Sequence, residues 1–208
     1  MARPPVARRA LLDAARAELI DNGRIEDLSS VVKRAGVSTG AVYHHFGSKI
    51  GLLAAVYNEF FDGAEAALRA ADHSGGSWLQ REQYRTRAMV QYYFGNPLAP
   101  VLMYAGVEHS AIAELEATHL SRIAEGAVRN LRDGQRANAL PVDLDVELAA
   151  AYLVGGLRRA LAILLRRTPR PTVDTATDRL WHFITATIRT GLPARQLADE
   201  GTKPAITA

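Results

Sequence analysis

Residues 27–46 constrain this chain more than any other stretch, because they hold two short amphipathic segments joined through Gly36-Val37-Ser38. Asp27 can cap the first segment, which offers Leu28, Val31 and Val32 to a core and stops at Ala35-Gly36. Ser38 can cap the second, which is very short and runs Thr39-Gly40-Ala41-Val42-Tyr43-His44. Two helices joined by about four residues with a Gly in the turn form a helix-turn-helix. On the second helix, Val42 and the following Phe46 are predicted to face inward with Val37, leaving Thr39, Gly40, Tyr43 and His44 outside. Small and hydrogen-bonding side chains at the start of an exposed helix suit entry into a DNA major groove, where bulk would keep the backbone from the base edges.

The flanking residues agree with this reading. An amphipathic helix from about Val6 to Asp21 precedes the pair, with Leu11, Leu12, Ala15, Leu19 and Ile20 on its apolar side and Asn22-Gly23 at its end. Gly47-Ser48-Lys49 opens the next helix, where free amides, the helix dipole and the Lys49 ammonium make a phosphate clamp. The formal net charge is +3, and residues 1–50 carry all of it, with eight Lys/Arg against five Asp/Glu; the other 158 residues hold 17 of each. Arg3, Arg8 and Arg9 read equally as an arm onto DNA or as a solvated basic end. The adjacent pair His44-His45 diverges by about 100° on a helix, a poor arrangement for chelating one metal ion.

The run Ala35-Gly36-Val37-Ser38-Thr39-Gly40-Ala41-Val42-Tyr43-His44-His45-Phe46-Gly47-Ser48-Lys49 closely resembles the signature of TetR-family regulators, with the likeness extending over about residues 8–60. The resemblance implies DNA contacts at Ser38, Thr39, Gly40, Tyr43 and His44, with Tyr43 and Lys49 at phosphates. It further implies a roughly palindromic double-stranded operator and a C-terminal domain that dimerises and binds a small effector. Two departures stand out. Ser30-Val31-Val32 replaces an acidic residue followed by Ile-Ala, which is harmless to folding, and Ile50-Gly51 follows the Ser-Lys pair, placing a helix-weakening Gly in the first turn after the clamp.

Helical periodicity continues to the C-terminus with no sustained alternation, so the fold class is all-α, a three-helix N-terminal domain followed by a larger helical one. Breakers such as Ser74-Gly75-Gly76-Ser77, Gly95-Asn96-Pro97, Asp133-Gly134, Pro141 and Thr168-Pro169-Arg170-Pro171 divide it into roughly nine helices. The division places a DNA-binding domain at 1–50 and an effector-binding and dimerisation domain at 51–208, linked by a helix from about 48 to 71; residues after about Leu197 read as a frayed tail. Leu148–Leu165 is apolar, but Arg158 and Arg159 interrupt it, and it reads as a buried helix rather than a membrane span. The absence of Cys excludes disulfide scaffolds and thiolate metal sites, and with no export signal at the N-terminus the expected location is the cytoplasm. No catalytic constellation, cofactor motif or metal-ligand spacing is visible, so an enzyme is disfavoured.

The central helices concentrate Trp78, Tyr84, Met89, Tyr92, Tyr93, Met103 and Tyr104. Each taken singly fits ordinary core packing; together they supply walls for the apolar effector cavity that the resemblance implies, with His109, Glu108 and Arg122 to orient a polar end. Two final helices, about Asp145–Arg167 and Val173–Thr190, are the candidate dimer face. The first contributes Leu148, Tyr152, Gly155, Gly156 and Leu161, the second Leu180, Trp181, Ile184 and Ile188. Gly155-Gly156 lowers helix propensity by roughly 1 kcal/mol per Gly against Ala, which makes sense where another helix approaches closely. The expected function is a sequence-specific repressor released by its effector. A rival from another class is a helical ligand-binding or enzymatic protein whose DNA-binding domain no longer works.

Overall fold

Capping sets most of the helix ends. Asp27 accepts a hydrogen bond from the Ser29 amide at 2.6 Å and starts one helix, and Gly36 ends it with φ at 66°, a left-handed backbone that Gly adopts without Cβ strain. Ser77 and Gln80 form a reciprocal capping box, and Asp145 accepts from the amides of Glu147 and Leu148. Ser38 occupies the expected cap position, but its hydroxyl makes no cap bond.

The computed structural model describes residues 4–71, 76–104 and 109–189. Those residues form α1 (Pro4–Asn22), α2 (Leu28–Ala35), α3 (Thr39–Phe46), α4 (Lys49–Ala71), α5 (Trp78–Gly95), α6 (Leu98–Tyr104), α7 (Ser110–Arg136), α8 (Val146–Arg166) and α9 (Val173–Arg189), with no strand among them. Arg3, Glu108, most of the 72–77 boundary and the tail after Leu197 lie outside the described residues.

The protein is all-α. α1, α2 and α3 close around Leu11, Leu12, Ala15, Leu19, Val31 and Val42, and this core runs without a break along α4 through Leu52, Val56, Phe60 and Phe61 into α5, α6 and α8. Ile20, expected on the apolar side of α1, is instead left exposed. α4 has 23 residues, about 34 Å of helix, and packs on α1 and α3 near one end and on α5 and α7 further along. A second core joins Trp78 to Leu131, Leu140, Val146, Ala150, Ile184 and Ile188.

Two glycines act differently from the sequence reading. Asp133-Gly134 does not break α7, which continues to Arg136; a Cβ on Gly134 would lie 2.8 Å from Trp78 and from Leu140, so the missing side chain makes room for the second core. A Cβ on Gly51 would lie 2.0 Å from the Phe46 carbonyl oxygen. Gly51 therefore lets the start of α4 pass against the end of α3, which outweighs its propensity cost.

α8 is the one helix among the described residues long and apolar enough to cross a membrane. Its Ala149, Ala150, Leu161, Leu164 and Leu165 are buried within the chain.

Candidate functional site

α3 turns one side into the core and the other to solvent. Val42 is fully buried, with Val37 and Phe46 half-buried around it. Ser38, Thr39, Gly40, Tyr43 and His44 are all exposed, Tyr43 at 57%. Gly40 has only the Ser38 hydroxyl near its missing Cβ, so nothing bulky shields the backbone there. Arg8 on α1 places its guanidinium 5.3 Å from the centre of the Phe46 ring, beside the same helix. Arg9 is held by Asp13 and Glu59, and so is not a loose arm. The His44 and His45 rings meet edge to face with centroids 4.8 Å apart.

Lys49 is half-buried, and its ammonium donates to the Glu26 carbonyl oxygen, which ties the start of α4 to the loop before α2. Ser48 caps the helix by accepting from the Gly51 amide at 2.9 Å. Asp27 lies nearby, its carboxyl held below the usual range by hydrogen bonds from the Ser29 hydroxyl and amide and, more weakly, by the Lys49 charge.

In the C-terminal half, α4, α5, α7 and α8 line a half-open cavity of about 610 Å³. Met89, Tyr92, Tyr93 and Arg122 line it, joined by Leu68, Ile123, Leu157 and Leu161. Tyr92 is wedged against α4: its hydroxyl donates to the Phe60 carbonyl at 2.6 Å, and a Cβ on Gly63 would lie 2.5 Å from that hydroxyl. Burial pushes the Tyr93 phenol up to about 12. Arg158 pairs with the buried Glu116; desolvation lowers its pKa, partly offset by the charges of Tyr93 and Tyr57.

Beside the cavity, a polar cluster joins α4 to α7. His119 is buried and stacks on Phe61 with ring centroids 4.7 Å apart. Its Nε2 lies 2.8 Å from Asn58 Oδ1, and Arg122 donates to its Nδ1 at 2.7 Å. Ligand-type atoms of Asp62, Glu65 and His119 come within 4.8 Å of one another, a grouping the sequence gave no spacing signal for.

Residues 11–56 match the family model for bacterial regulatory proteins of the tetR family. That match spans the helix-turn-helix and the start of α4. The chain is similar to the HTH-type transcriptional repressor KstR of Mycolicibacterium smegmatis, with 27% identity over 175 residues, 82% of this chain and 83% of that protein. Among solved structures, the fatty acid degradation regulator FadR of Bacillus halodurans superposes with a TM-score of 0.76 at 15% identity, covering 89% of this chain and 96% of that one. FadR of Bacillus subtilis in complex with stearoyl-CoA gives a TM-score of 0.74 at 14% identity, covering 86% and 98%. By their names, KstR and the two FadR proteins are transcriptional regulators, not enzymes.

Several expected cavity residues lie elsewhere in the structure. Trp78 is buried in the second core, its indole N–H donating to the Asn130 carbonyl at 3.0 Å. Tyr84 is exposed on the opposite side of α5 from the wall. Met103 packs against the main core, Tyr104 lies under the Arg166 guanidinium, and His109 is the exposed cap residue of α7. The wall residues that sequence reasoning missed include five arginines, Arg69, Arg81, Arg85, Arg129 and Arg158, among a larger number of apolar and small side chains.

The expected dimer face divides in the same way. Leu161, Leu180, Ile184 and Ile188 are buried within the chain, because α8 and α9 pack on each other and on α5, so they present nothing to a second copy. Trp181 is half-buried against the second core. Leu148 and Tyr152 are 68% and 67% exposed, and Gly155 and Gly156 are open, with nothing within 4 Å of a built Cβ. Phe183, not expected from the sequence, is 66% exposed on α9.

Proposed function

We propose that this regulator is a cytoplasmic homodimeric repressor that reads a roughly palindromic operator through α3 and leaves it when a small, largely apolar molecule enters the C-terminal cavity. The exposed face of Thr39, Gly40, Tyr43 and His44, backed by the buried Val42, carries this reading. Major-groove entry needs such a face, and Tyr43 extends far enough to meet a phosphate. Lys49 serves the clamp by exchanging the Glu26 carbonyl for a phosphate oxygen or by fixing the amides beside it.

Leu148, Tyr152, Gly155 and Gly156 fall on one exposed stripe of α8, with Phe183 on the neighbouring α9. Two such pairs form a four-helix bundle about a twofold axis, the symmetry a palindrome requires. KstR, by its name, is a repressor, and the B. subtilis FadR structure holds stearoyl-CoA; both support repression relieved by a ligand with an apolar body. α4 carries Gly51 at one end and Glu65 and Leu68 in the cavity wall, so a ligand that favours one tilt of α4 changes the spacing of the two α3 helices. It does so only by its difference in affinity for the two conformers.

Selection of bound sites from a random duplex pool tests the reading. Enrichment of a palindrome with half-sites about one helical turn apart is expected. No enrichment at any salt concentration would favour the rival, a ligand-binding protein with an inactive DNA-binding domain.

A further inference from the structure

We propose that the cavity takes an amphipathic anion, a molecule with an apolar body and a carboxylate or phosphate head. The inference rests on the reading of this cavity as the effector site and adds the chemistry of the ligand. Six arginines contribute to its wall, Arg69, Arg81, Arg85, Arg122, Arg129 and Arg158, with no lysine, against three carboxylates, Glu65, Glu82 and Asp133. Residues 51–208 carry equal numbers of basic and acidic side chains, so this excess is a property of the cavity and not of the domain.

The arginines are unevenly placed. Arg81 lies in the first turn of α5 and Arg85 one turn later; Arg69 lies near the end of α4; Arg122 and Arg129 lie seven residues apart on one side of α7. Arg158 is already committed to Glu116 on the α8 side. Arg81 donates one bond to the Gly76 carbonyl at 2.8 Å, and Arg129 pairs with no carboxylate among the described residues. Asp133 is held by Arg136, which is not a wall residue, so it neutralises little of the cavity charge.

Guanidinium groups present planar forks of donors matched to carboxylate and phosphate oxygens. A neutral ligand would strip water from them with no compensating charge. The apolar body has its own surface in Ala64, Leu68, Met89, Ile123 and Leu157, and a volume of about 610 Å³ fits a small molecule of this kind. The head group belongs with Arg81 and Arg129.

Isothermal titration of the full-length protein with laurate, dodecyl phosphate and 1-dodecanol tests the proposal, using wild type, an Arg81→Gln/Arg129→Gln double variant and a Leu157→Trp variant that fills the cavity. At least one anion is expected to bind tenfold or more tightly than dodecanol, and the tighter of the two identifies the head as carboxylate or phosphate. The double variant should lose that margin with its dodecanol affinity unchanged, which also reports that it is folded; Leu157→Trp should weaken all three ligands. If dodecanol matches both anions on wild type and Leu157→Trp blocks it, the cavity stands as a ligand site and the anionic class is overturned. If none of the three binds, or binding ignores both variants, the effector-site reading falls and the proposal with it.

Discussion

Arg122 donates from its guanidinium to Nδ1 of the buried His119 at 2.7 Å. Arginine has no acceptor, so Nδ1 receives the bond and the ring proton sits on Nε2, where Asn58 Oδ1 accepts it at 2.8 Å. One imidazole thus ties α7 to the middle of α4, between the cavity and the helix-turn-helix. Replacing it with alanine removes the stacking on Phe61 and both hydrogen bonds. His119→Ala should lower unfolding stability in urea by about 1–3 kcal/mol; an unchanged midpoint and slope would show that the link bears no load.

Gly51 makes a sharper prediction. An added methyl at this position meets the Phe46 carbonyl at 2.0 Å, and that backbone atom cannot move without shifting α3. Gly51→Ala should therefore lower the melting temperature and weaken operator binding together. Raised stability, as expected from helix propensity alone, would contradict the close approach.

The α8 stripe predicts the oligomeric state. Leu148→Glu with Tyr152→Glu puts charges on the exposed face without touching the buried Leu161. Light scattering after gel filtration should report a monomer in place of a dimer, and operator affinity should fall. A variant that still runs as a dimer would place the interface elsewhere.

Tyr93 predicts behaviour in alkali. Burial raises its folded pKa to about 12, above that of the unfolded phenol, so the associated stability is present below about pH 10 and is lost as the pH rises toward 12. Tyr93→Phe should lose less stability than wild type between pH 10 and 12, measured by denaturant titration. Equal losses would mean that Tyr93 ionises in the folded protein as it does in the unfolded one.

The helix-turn-helix was legible because its signals are local: Asp27, Gly36, the Ser38 position and Gly47 mark helix ends, and one turn of apolar spacing settles which way Val42 points. The all-α class followed from periodicity in the same way. The cavity was less legible, since the inner side of α5 depends on where α4 and α8 lie. One position along α5, about 100° around the helix, separates Arg85 on the wall from Tyr84 in solvent, and aromatic content favoured the wrong neighbour. Trp78 and Gly134 fit each other across 56 residues, a pairing no sequence window contains. α8 is apolar nearly all round, so its composition did not distinguish Leu161 in the core from Tyr152 outside it.

The most direct test of the account is the ratio of affinities for the selected duplex and a scrambled one, measured by fluorescence anisotropy at fixed salt for wild type and Tyr43→Ala. Wild type should prefer the selected duplex by roughly 10³-fold or more. The exposed Tyr43 can be removed without unfolding the domain, and the variant should bind the selected duplex about tenfold or more weakly, with a smaller dependence on salt. Equal affinity of wild type for both duplexes, or a variant indistinguishable from it, would contradict α3 as the reader.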